Sequence, residues 1–317
     1  PDTVLAKEAG LELGIKESIV VNDRMETSVP DIYAAGDAVQ VKHYVTGNDA
    51  LISLAGPANK QGRIIADNIC GGDSRYLGSQ GSSVIKVFDM TAATTGINET
   101  NAKKSGLEVD TVILSPMSHA GYYPGGKVMT MKVVFEKETY RLLGAQIIGY
   151  EGVDKRIDVL ATAIHAGLKA TQLKDLDLAY APPYSSAKDP VNMAGFMIDN
   201  IAKGTLKQWH LEDMDKISKD KSVVLLDVRT VGEFNRGHMD GFRNIPVDEL
   251  RERINEIEKG KPVYLICQSG LRSYIASRIL EGNGYETYNF SGGFRFYDAV
   301  VNDRALIERA YACGMDY

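Results

Sequence analysis

The residues around Cys267 favour thiol chemistry at this position. The apolar run Val263–Ile266 predicts a short buried strand that delivers Cys267 to a small polar loop, and Arg272 then opens a predicted helix that runs to about Glu281. Backbone N–H groups between a strand end and a helix start lack helical partners, and with the positive end of the helix dipole they favour an anion. We therefore predict a nucleophilic thiolate at Cys267. A buried structural cysteine would explain neither the polar loop nor the arginine.

Composition limits what the chain can be. Its 317 residues suffice for about two or three domains, and 44% hydrophobic with 25% charged residues is ordinary for a soluble globular protein. A formal charge of −6 without a basic cluster argues against a nucleic-acid partner. No apolar run approaches the roughly 18–20 residues that crossing a membrane requires, so we expect no membrane partner.

The three cysteines are widely spaced and form no redox pair, zinc-finger pattern or disulfide framework. We therefore expect no metal site and a cytoplasmic protein. Cys70 lies beside Gly71 and Gly72 and is expected to be a packing residue, whereas the role of Cys313 in the tail stays open, with a sulfur relay as one option. The chain begins at Pro1 within a patterned segment, so we expect it to be the C-terminal part of a longer protein.

A glycine and a carboxylate follow a predicted strand in the first third. Apolar spacing predicts a helix over Leu5–Leu13 and a strand over Ser18–Val21, and the compact run Ile32–Ala35 predicts a strand that meets Gly36 and Asp37. Such a pair suits a backbone that a ligand hydroxyl approaches closely, although Gly-Asp pairs are also common in turns. Spacing alone leaves both interpretations open.

The surrounding residues carry a family resemblance. Residues 27–37, Thr-x-x-Pro-x-Ile-Tyr-Ala-x-Gly-Asp, resemble the second flavin-binding signature of the disulfide reductases with two dinucleotide-binding folds. Residues 51–72, LISLAGPANKQGRIIADNICGG, resemble the helix that returns across the flavin in the coenzyme A disulfide reductase branch. The resemblance implies that Gly36, Asp37 and Ala38 contact FAD, with Asp37 bound to the ribityl chain. No Gly-x-Gly-x-x-Gly occurs, so we expect the NADH or NADPH site and the redox cysteine to lie outside this sequence.

The pattern changes in the middle third, from residue 82 to about residue 204. Short strands in meander order, with helices grouped beside them, predict an α+β layer rather than a nucleotide-binding fold. The strands are predicted at Val84–Phe88, Ala92–Gly96, Val109–Leu114, Met129–Phe135 and Arg141–Ile148, and the helices at Asn98–Ser105, Val153–Ala166 and Ser186–Ala202. This arrangement resembles the dimerisation domain of the same reductases, which implies a homodimer whose active site is shared between subunits.

Two aromatic loops in this part carry candidate chemistry. Their glycines and prolines predict loops at residues 118–126, SHAGYYPGG, and 178–192, LAYAPPYSSAKDPVN. Tyrosines in such loops can be packing residues. The resemblance implies instead that Tyr122 and Tyr180 reach the active site of the other subunit, where a phenol could protonate a departing thiolate or orient the substrate sulfur.

Two lysines are candidates for phosphate contacts. The resemblance implies that Lys60 and Lys188 bind the phosphates of coenzyme A, for which an ammonium point charge is suitable. The alternative is a pair of solvated surface lysines. In the sequence pattern nothing pairs His119 with a nucleophile, and His165, on a predicted helix, is expected to be structural.

A separate α/β unit is predicted after the connector Gly204–Trp209. The strand Val223–Asp227, an amphipathic helix over Asp248–Lys259 and the strand before Cys267 alternate, which predicts a small parallel sheet. Three motifs occur in order: LLDVRTVGEFNRGHMDGFRNIP, CQSGLRS and NFSGGFRFY. Together they resemble a single-domain rhodanese over about residues 211–299.

The rhodanese resemblance implies that Cys267 is a sulfur carrier. Its thiolate would attack a sulfane sulfur and hold it as a persulfide, while Arg272 would orient the loop or neutralise an anionic substrate. The N–H groups around the sulfur would come from the loop residues Gln268, Ser269, Gly270 and Leu271, and from Arg272. Four residues separate Cys267 from Arg272, one fewer than in the related phosphatases and arsenate reductases, which favours a single sulfur over a tetrahedral oxyanion. Asp227, Arg229 and His238 are expected to be structural.

These observations predict a multidomain chain of α/β and α+β architecture. We expect the C-terminal segment of an FAD-binding domain over 1–80, a reductase dimerisation domain over 81–206, a rhodanese domain with a parallel sheet over 207–300 and a tail over 301–317. The predicted function is flavin-dependent reduction of coenzyme A disulfide, persulfide or polysulfide by NADH or NADPH, coupled to sulfur transfer through Cys267. The alternatives are a rhodanese sulfurtransferase alone, or a non-catalytic module for dimerisation and sulfur binding.

Overall fold

Three β-sheets organise the chain in the computed structural model, which describes the backbone of residues 1–312 and the side chains of residues 1–303. The first sheet is small. Its part of the chain consists of α1 (Val4–Glu8), β1 (Ile19–Val20), β2 (Val39–Lys42), β3 (Asp49–Ala50) and α2 (Ala55–Ile69). β2 lies in the centre, parallel to β1 and antiparallel to β3, and α2 packs its Ile64 and Ile65 toward the buried side chains of Val39 and Val41.

The second sheet has five antiparallel strands. The elements, in chain order, are β4 (Ser83–Val87), β5 (Met90–Gly96), α3 (Glu99–Lys104), β6 (Val109–Leu114), β7 (Met129–Glu136), β8 (Leu142–Gly149), α4 (Val153–His165) and α5 (Pro190–Ala202). The strand order is β4-β5-β8-β7-β6, and α4 packs against β5 and β8 while α5 packs against β6. Apolar side chains spaced three or four residues apart on α4, such as Ile157, Leu160 and Ile164, bury one face of this helix in the largest core of the molecule.

The third sheet has five strands, all parallel. Its part of the chain contains β9 (Gln208–Trp209), α6 (Met214–Ile217), β10 (Val224–Asp227), α7 (Val231–Arg236), β11 (Arg243–Asn244), β12 (Val263–Ile266), α8 (Leu271–Glu281), β13 (Thr287–Phe290) and α9 (Gly293–Ala312). The order is β11-β10-β12-β13-β9, and α8 packs against β12 and β13. β12 is central and carries the apolar run predicted to precede Cys267, so its C-terminal end meets the start of α8 within the unit. The predicted parallel sheet is confirmed.

Hydrogen bonds join the second and third sheets. The Ile113 N–H donates to Ser291 Oγ at 3.0 Å, and Gln208 Nε2 donates to the Thr111 carbonyl at 2.7 Å. His210 Nε2 lies 3.1 Å from Asp110 Oδ1. Burial acts to raise the pKa of Asp110, but the hydrogen bonds from His210 and from the Thr111 N–H outweigh it and leave that pKa below its usual value.

Several predicted elements differ from the observed ones at particular residues. The helix predicted over Leu5–Leu13 ends at Glu8, because Gly10 adopts a left-handed φ of +76°. The helix predicted from Ser186 begins at Pro190, where the Asp189 side chain accepts a hydrogen bond from the Val191 N–H and caps the first turn.

Three predictions are wrong. Residues 32–35 form no strand, since only Tyr33 bridges Glu26 after a turn in which Asp31 has a φ of +64°. The helix predicted over Asp248–Lys259 is replaced by turns and a 3-10 helix at Ile254–Glu256, a compact path that buries the apolar residues of this stretch without a full helical face. The meander order is also wrong: β5 pairs with β8, because the largely buried β8 fits the centre of the sheet.

Among residues 1–312, no helix combines the length and the apolar character that a membrane span requires.

Candidate active sites

The Cys267 thiol lies at the C-terminal end of β12, directly before the loop that leads into α8. Cys267 is 1% exposed, and its Sγ accepts hydrogen bonds from the Gly270 N–H at 3.1 Å and from Ser273 Oγ at 3.2 Å. Gly270 adopts a φ of +97°, which turns its N–H back toward the sulfur and which a residue with a side chain would adopt only under strain. Two donors therefore face one sulfur atom, an arrangement that stabilises a thiolate or a persulfide anion.

Ser273 is a functional candidate that the sequence analysis did not identify. Its side chain is fully buried, and its hydroxyl has one proton for two acceptors, Sγ and the Gly270 carbonyl at 3.1 Å. Because Asn289 Nδ2 also donates to that carbonyl, the hydroxyl proton is free to point to Sγ. The available signal was a small hydroxyl residue directly after Arg272, on the first turn of α8. Of the loop N–H groups predicted to surround the sulfur, the Gly270 N–H is the one that donates to Sγ.

The rest of the loop is held from the following strand and helix. Asn289 Nδ2 donates to the Gly270 carbonyl at 3.1 Å, and the N–H groups of Phe294 and Arg295 donate to the carbonyls of Cys267 and Gln268 at 2.8 and 3.2 Å. A Cβ atom on Gly293 would lie only 2.7 Å from the Gln268 carbonyl oxygen and from Ser269, so this contact requires glycine. Among the remaining loop residues, Ser269 and Leu271 are exposed.

Both arginines next to the loop are paired with carboxylates. Arg272 donates from Nη1 and Nη2 to the two oxygens of Glu233, each at 2.7 Å, and this hydrogen-bonded guanidinium lowers the pKa of Glu233 to about 2. Arg229, 1% exposed, pairs with Asp227 at 2.7 Å and reaches the Gln268 side chain at 3.4 Å. Of the two roles considered for Arg272, this geometry supports orientation of the loop.

His238 has contacts suited to a structural role. Its ring stacks on Phe234 with centroids 3.9 Å apart, and Nδ1 lies 3.1 Å from the Phe234 carbonyl. Glu233, the partner of Arg272, was quoted in the motif but not singled out. Its place three residues after Thr230, with reciprocal hydrogen bonds between the two, forms a capping box that fixes the carboxylate at the start of α7.

Two phenols meet in the antiparallel-sheet part of the chain. Tyr122 Oη and Tyr180 Oη lie 2.6 Å apart although 58 residues separate them, and both side chains remain exposed. The hydrogen bond with Tyr122 is the main cause that raises the pKa of Tyr180, so this phenol is protonated at neutral pH. The structure thus brings together the two tyrosines that the sequence analysis had singled out in separate loops.

Arg156, on α4, joins the two tyrosine loops. It is 1% exposed and forms a buried ion pair with Asp189 at 2.9 Å. Its Nη2 also donates to the Ser118 carbonyl at 2.9 Å and to Ser185 Oγ at 3.1 Å. Ser118 starts the loop of Tyr122, whereas Ser185 and Asp189 belong to the loop of Tyr180. One guanidinium therefore fixes the separation of both loops, and sequence spacing gave no sign of it.

A cavity of about 530 Å³ opens beside these loops. Its lining includes His119, Glu151, Lys155, Tyr180 and Tyr184. His119 is buried, stands edge-on to Tyr123 and directs Nδ1 toward the neighbouring Ala120 carbonyl at 3.1 Å, so its contacts support the loop.

The segment Gly36–Ala38 forms a 3-10 turn directly before β2. Gly36 has a φ of +81°, and its N–H donates to Oε1 of Gln61 at 2.7 Å. Gln61 is 1% exposed on α2, and it fixes the turn so that the Asp37 carboxylate stays exposed at its outer side. An exposed carboxylate on a fixed turn without a side chain at Gly36 fits a polyhydroxyl chain such as the ribityl group of FAD.

Lys60 and Lys188 lie on different elements. Lys60 is exposed on α2 and, with Arg63, Tyr76 and His165, lines a groove of about 810 Å³ between α2 and α4. Lys188 is exposed directly before the capping residue Asp189. Neither lysine forms an ion pair with the side chains of residues 1–303, so both ammonium groups are available to an anion. Cys70 is exposed, which does not support the packing role predicted for it, and Cys313 lies outside the described residues.

Family models match three consecutive stretches of the chain. Residues 1–62 match the pyridine nucleotide-disulphide oxidoreductase model, and residues 82–190 match the dimerisation domain of the same oxidoreductases. Residues 210–299 match the rhodanese-like domain, whose motifs contain the Cys267 loop.

Named relatives match about three fifths of the chain. The NAD(P)H sulfur oxidoreductase (CoA-dependent) of Pyrococcus furiosus is 39% identical over 191 residues, which is 60% of this chain and 43% of the relative. A coenzyme A disulfide reductase of Staphylococcus aureus is 36% identical over 197 residues, which is 62% of this chain and 44% of the relative.

Two solved structures match nearly the whole chain. Reduced CoADR-RHD of Bacillus anthracis has a TM-score of 0.93 at 47% identity, over 96% of this chain and 55% of that one. The NAD-dependent persulfide reductase of A. fulgidus has a TM-score of 0.86 at 42% identity, over 94% and 54% of the two chains. The chain thus spans about half the length of these relatives and solved structures.

Proposed function

We propose a function for this chain from one premise: it belongs to the pyridine nucleotide-disulphide oxidoreductase family and carries a rhodanese-like domain after the dimerisation domain. As part of a complete enzyme, it serves the reduction of coenzyme A disulfide, persulfide or polysulfide by NADH or NADPH, coupled to sulfur transfer through Cys267. The family implies FAD and NAD(P)H, and bound FAD supplies the electron transfer from the nicotinamide to a disulfide. Gly36, Asp37 and Ala38 would hold the ribityl chain of FAD.

The observation that carries the sulfur-transfer part is the setting of the Cys267 sulfur. The N–H of Gly270 and the hydroxyl of Ser273 both point to Sγ, at 3.1 and 3.2 Å. A thiolate held by these donors attacks a sulfane sulfur, and the same donors then hold the persulfide anion that results. Gln268, Ser269 and Leu271, which share the loop with Gly270, would contact the sulfur substrate.

The phenol pair supports the reductase part. Tyr122 and Tyr180 share one short hydrogen bond, so either phenol can donate a proton outward while the other stabilises the phenolate that forms. This is what a departing coenzyme A thiolate requires. Lys60 and Lys188, both exposed and without an ion pair among the described side chains, are suited to the phosphates of coenzyme A.

A homodimer would place the phenol pair in the active site of the other subunit. The match to a dimerisation domain supports this arrangement. The edge strand β4 supports it as well, because Val84, Ile85, Val87 and the adjacent Phe88 are between 51% and 94% exposed, an apolar edge that a second copy would cover.

The test uses the full-length protein that contains this chain together with its complete flavin and nicotinamide domains. We expect NAD(P)H oxidation with coenzyme A disulfide or coenzyme A persulfide, and about a 100-fold loss when both phenols are replaced, in Tyr122→Phe/Tyr180→Phe. We expect Cys267→Ser to keep disulfide reduction but to form no persulfide at this position, as read by intact mass. If the full-length protein reduces neither substrate, the reductase assignment is wrong. If the Cys267→Ser protein transfers sulfur at the wild-type rate, the assignment of sulfur transfer to Cys267 is wrong.

A module for dimerisation and sulfur binding alone would give a different result. Cys267 would still load with sulfur, but no thiol acceptor would remove it and no NAD(P)H would be consumed.

A further inference from the structure

The Gly270 carbonyl, beside the Cys267 sulfur, has more donors within reach than it has lone pairs. The Tyr274 N–H donates to it at 3.1 Å in the first turn of α8, and Asn289 Nδ2 donates to it at 3.1 Å from β13. The Ser273 hydroxyl lies 3.1 Å from the same oxygen. Because a carbonyl oxygen offers two lone pairs, the Tyr274 N–H and the Asn289 amide fill them, and the Ser273 hydroxyl is a third donor without a place.

A serine at this position of a helix would ordinarily bond the carbonyl. A serine hydroxyl in a helix tends to donate to the carbonyl three or four residues earlier, and Gly270 lies three residues before Ser273. In that state the hydroxyl would turn a lone pair, and not its proton, toward Sγ at 3.2 Å. A lone pair facing the sulfur disfavours the thiolate, whereas a proton stabilises it. Which way the hydroxyl points therefore depends on the amide that competes for the carbonyl.

The Asn289 side chain does not gain stability from its burial. It is 3% exposed, and its Oδ1 has no hydrogen-bond partner among the residues that the structure describes. A buried acceptor without a partner destabilises the fold. Nδ2 can only donate, and the acceptor that it faces is the Gly270 carbonyl. An apolar side chain would fill the same place without an unpaired oxygen, so the contribution of the amide lies in its contact with the loop.

The sheet fixes the position of this amide relative to the cysteine. Asn289 pairs with Leu265 of the neighbouring strand β12, two residues before Cys267. On the other side, the Asn289 N–H donates to the Lys207 carbonyl at 2.9 Å. The backbone of Asn289 is thus bonded on both sides, and its side chain reaches the loop from a strand that is in register with the strand of Cys267.

We propose, on the basis of the sulfur-transfer function argued above, that Asn289 is a positioning residue for Cys267: its amide keeps the proton of the Ser273 hydroxyl directed at Sγ. Without the amide, one lone pair of the buried Gly270 carbonyl would lose its donor. The Ser273 proton would turn to it, because an unpaired buried acceptor is costly. The thiolate would then keep the Gly270 N–H as its remaining donor.

The test measures the reactivity of the Cys267 sulfur in the full-length protein carrying Asn289→Leu, which keeps the size of the side chain and removes the amide. Iodoacetamide is the probe, and its addition to Cys267 is followed at a series of pH values by mass spectrometry of the peptide that contains this cysteine. A less stabilised thiolate forms at higher pH but is the stronger nucleophile. We therefore expect the pH of half-maximal rate, the midpoint, to rise by about one unit. The rate below both midpoints should fall about 3-fold, and the plateau at high pH should rise about 3-fold.

Opposite changes at low and high pH distinguish positioning from disruption of the loop. If Asn289→Leu reacts faster at every pH with an unchanged midpoint, the substitution has only opened the loop and the inference is overturned. An unchanged profile would overturn it as well. Asn192→Leu is the matched control, because Asn192 is also buried and its Nδ2 donates to the carbonyls of Leu173 and Leu176 beside α5. This control should leave the midpoint unchanged.

A second background tests whether Asn289 acts through Ser273. In Ser273→Ala the hydroxyl proton is absent, so this substitution alone should raise the midpoint at least as much as Asn289→Leu does. Adding Asn289→Leu to Ser273→Ala should raise it no further. Equal shifts caused by Asn289→Leu in the presence and absence of the hydroxyl would overturn the inference.

Two additions keep the result interpretable. Asn289→Val also removes the amide, is smaller and favours a strand, so it replaces Asn289→Leu if that variant does not fold, and the same shift is expected. In parallel, wild-type protein is exposed to inorganic polysulfide and the mass of the Cys267 peptide is measured. A wild-type Cys267 that gains no sulfur would remove the sulfur-transfer function on which the inference rests, whereas the midpoints decide whether Asn289 directs the Ser273 proton.

Discussion

Replacing Arg156 by methionine tests whether one buried guanidinium holds the two tyrosine loops in place. Methionine keeps much of the apolar stem but removes every donor. The buried Asp189 carboxylate then keeps hydrogen bonds from the Ser185 hydroxyl at 2.6 Å and the Val191 N–H at 3.0 Å, with the partly exposed Lys155 Nζ 4.0 Å away. The Ser118 and Gly152 carbonyls also lose their partner.

The magnitude follows from burial. Removing one partner of a buried ion pair destabilises a protein by about 3–5 kcal/mol, because the other charge is left uncompensated. At about 2–4 °C per kcal/mol, the melting temperature should fall by roughly 6–20 °C. Asp189→Asn in the same protein should recover part of this loss, because asparagine caps a helix as well as aspartate does and is neutral. The coupling between the two substitutions should be about 1–3 kcal/mol.

Activity measurements distinguish a positioning role of Arg156 from an effect on stability alone. In the full-length enzyme, Arg156→Met should lower kcat for coenzyme A disulfide by about 10-fold at a temperature where the variant is fully folded, since a displacement of about 1 Å in a reacting group has effects of this order or larger. In a Tyr122→Phe/Tyr180→Phe background, Arg156→Met should lower kcat no further. In a protein that keeps both phenols, Arg156→Met should shift the pH dependence of kcat.

Lys155→Met is the matched control for Arg156. Its Nζ lies 4.0 Å from the same Asp189 carboxylate but is partly exposed, so this substitution should change the stability by less than about 1 kcal/mol. If Arg156→Met lowers kcat equally in the presence and absence of the phenols, the guanidinium does not act through them. If the melting temperature is unchanged, the buried pair does not hold the loops.

Three further predictions concern the other candidate residues. The pKa of Glu233 is lowered to about 2 in the folded protein, so its ion pair stabilises the fold fully above the usual glutamate pKa of 4.5. This stabilisation is lost as the pH falls through 2. The difference in unfolding free energy between wild type and Glu233→Gln should therefore shrink as the pH is lowered from 6 to 3. Tyr122→Phe and Tyr180→Phe should each lower the reductase kcat by less than the double variant does, since the remaining phenol can still donate a proton, and equal losses in single and double variants would mean that the pair acts only as a unit. Ser273→Ala should slow the loading of Cys267 with sulfur about 10- to 150-fold, because a hydrogen bond to a charged group contributes about 1.5–3 kcal/mol. An unchanged rate in stopped-flow loading would exclude a role for the hydroxyl.

The parallel sheet was predictable because two of its inner strands, β10 and β12, are short, largely apolar and mostly buried. Val263–Ile266 could be assigned as a strand from four apolar residues, and the polar loop after it could only lead into a helix. The antiparallel strand order was not predictable from such runs. Which strand lies beside β5 depends on long-range packing of α4, and the sequence of β8 is compatible with several neighbours.

The candidate residues also divide into those that local sequence reveals and those that it does not. Cys267 and the two tyrosines could be identified because local motifs surround them. Arg156 and Ser273 could not, since a buried arginine in an amphipathic helix and a serine in a helical turn look like ordinary surface residues until the contacts are known. The functional importance of Glu233 depends on Arg272, which lies 39 residues away.

The junction between the two larger sheets bears on how sulfur could move between the two chemistries. Ser291 directly follows β13 and accepts the hydrogen bond of Ile113 in β6, while Asn289 within β13 donates to the Gly270 carbonyl of the Cys267 loop. A swing of the rhodanese-like domain would break the first of these bonds, and a buried N–H left without a partner costs about 1–3 kcal/mol. The Gln208 and His210 contacts would be broken as well. Because the strand that supports the sulfur-carrying loop is fixed to the dimerisation sheet, movement of a small thiol carrier is physically easier than movement of the domain.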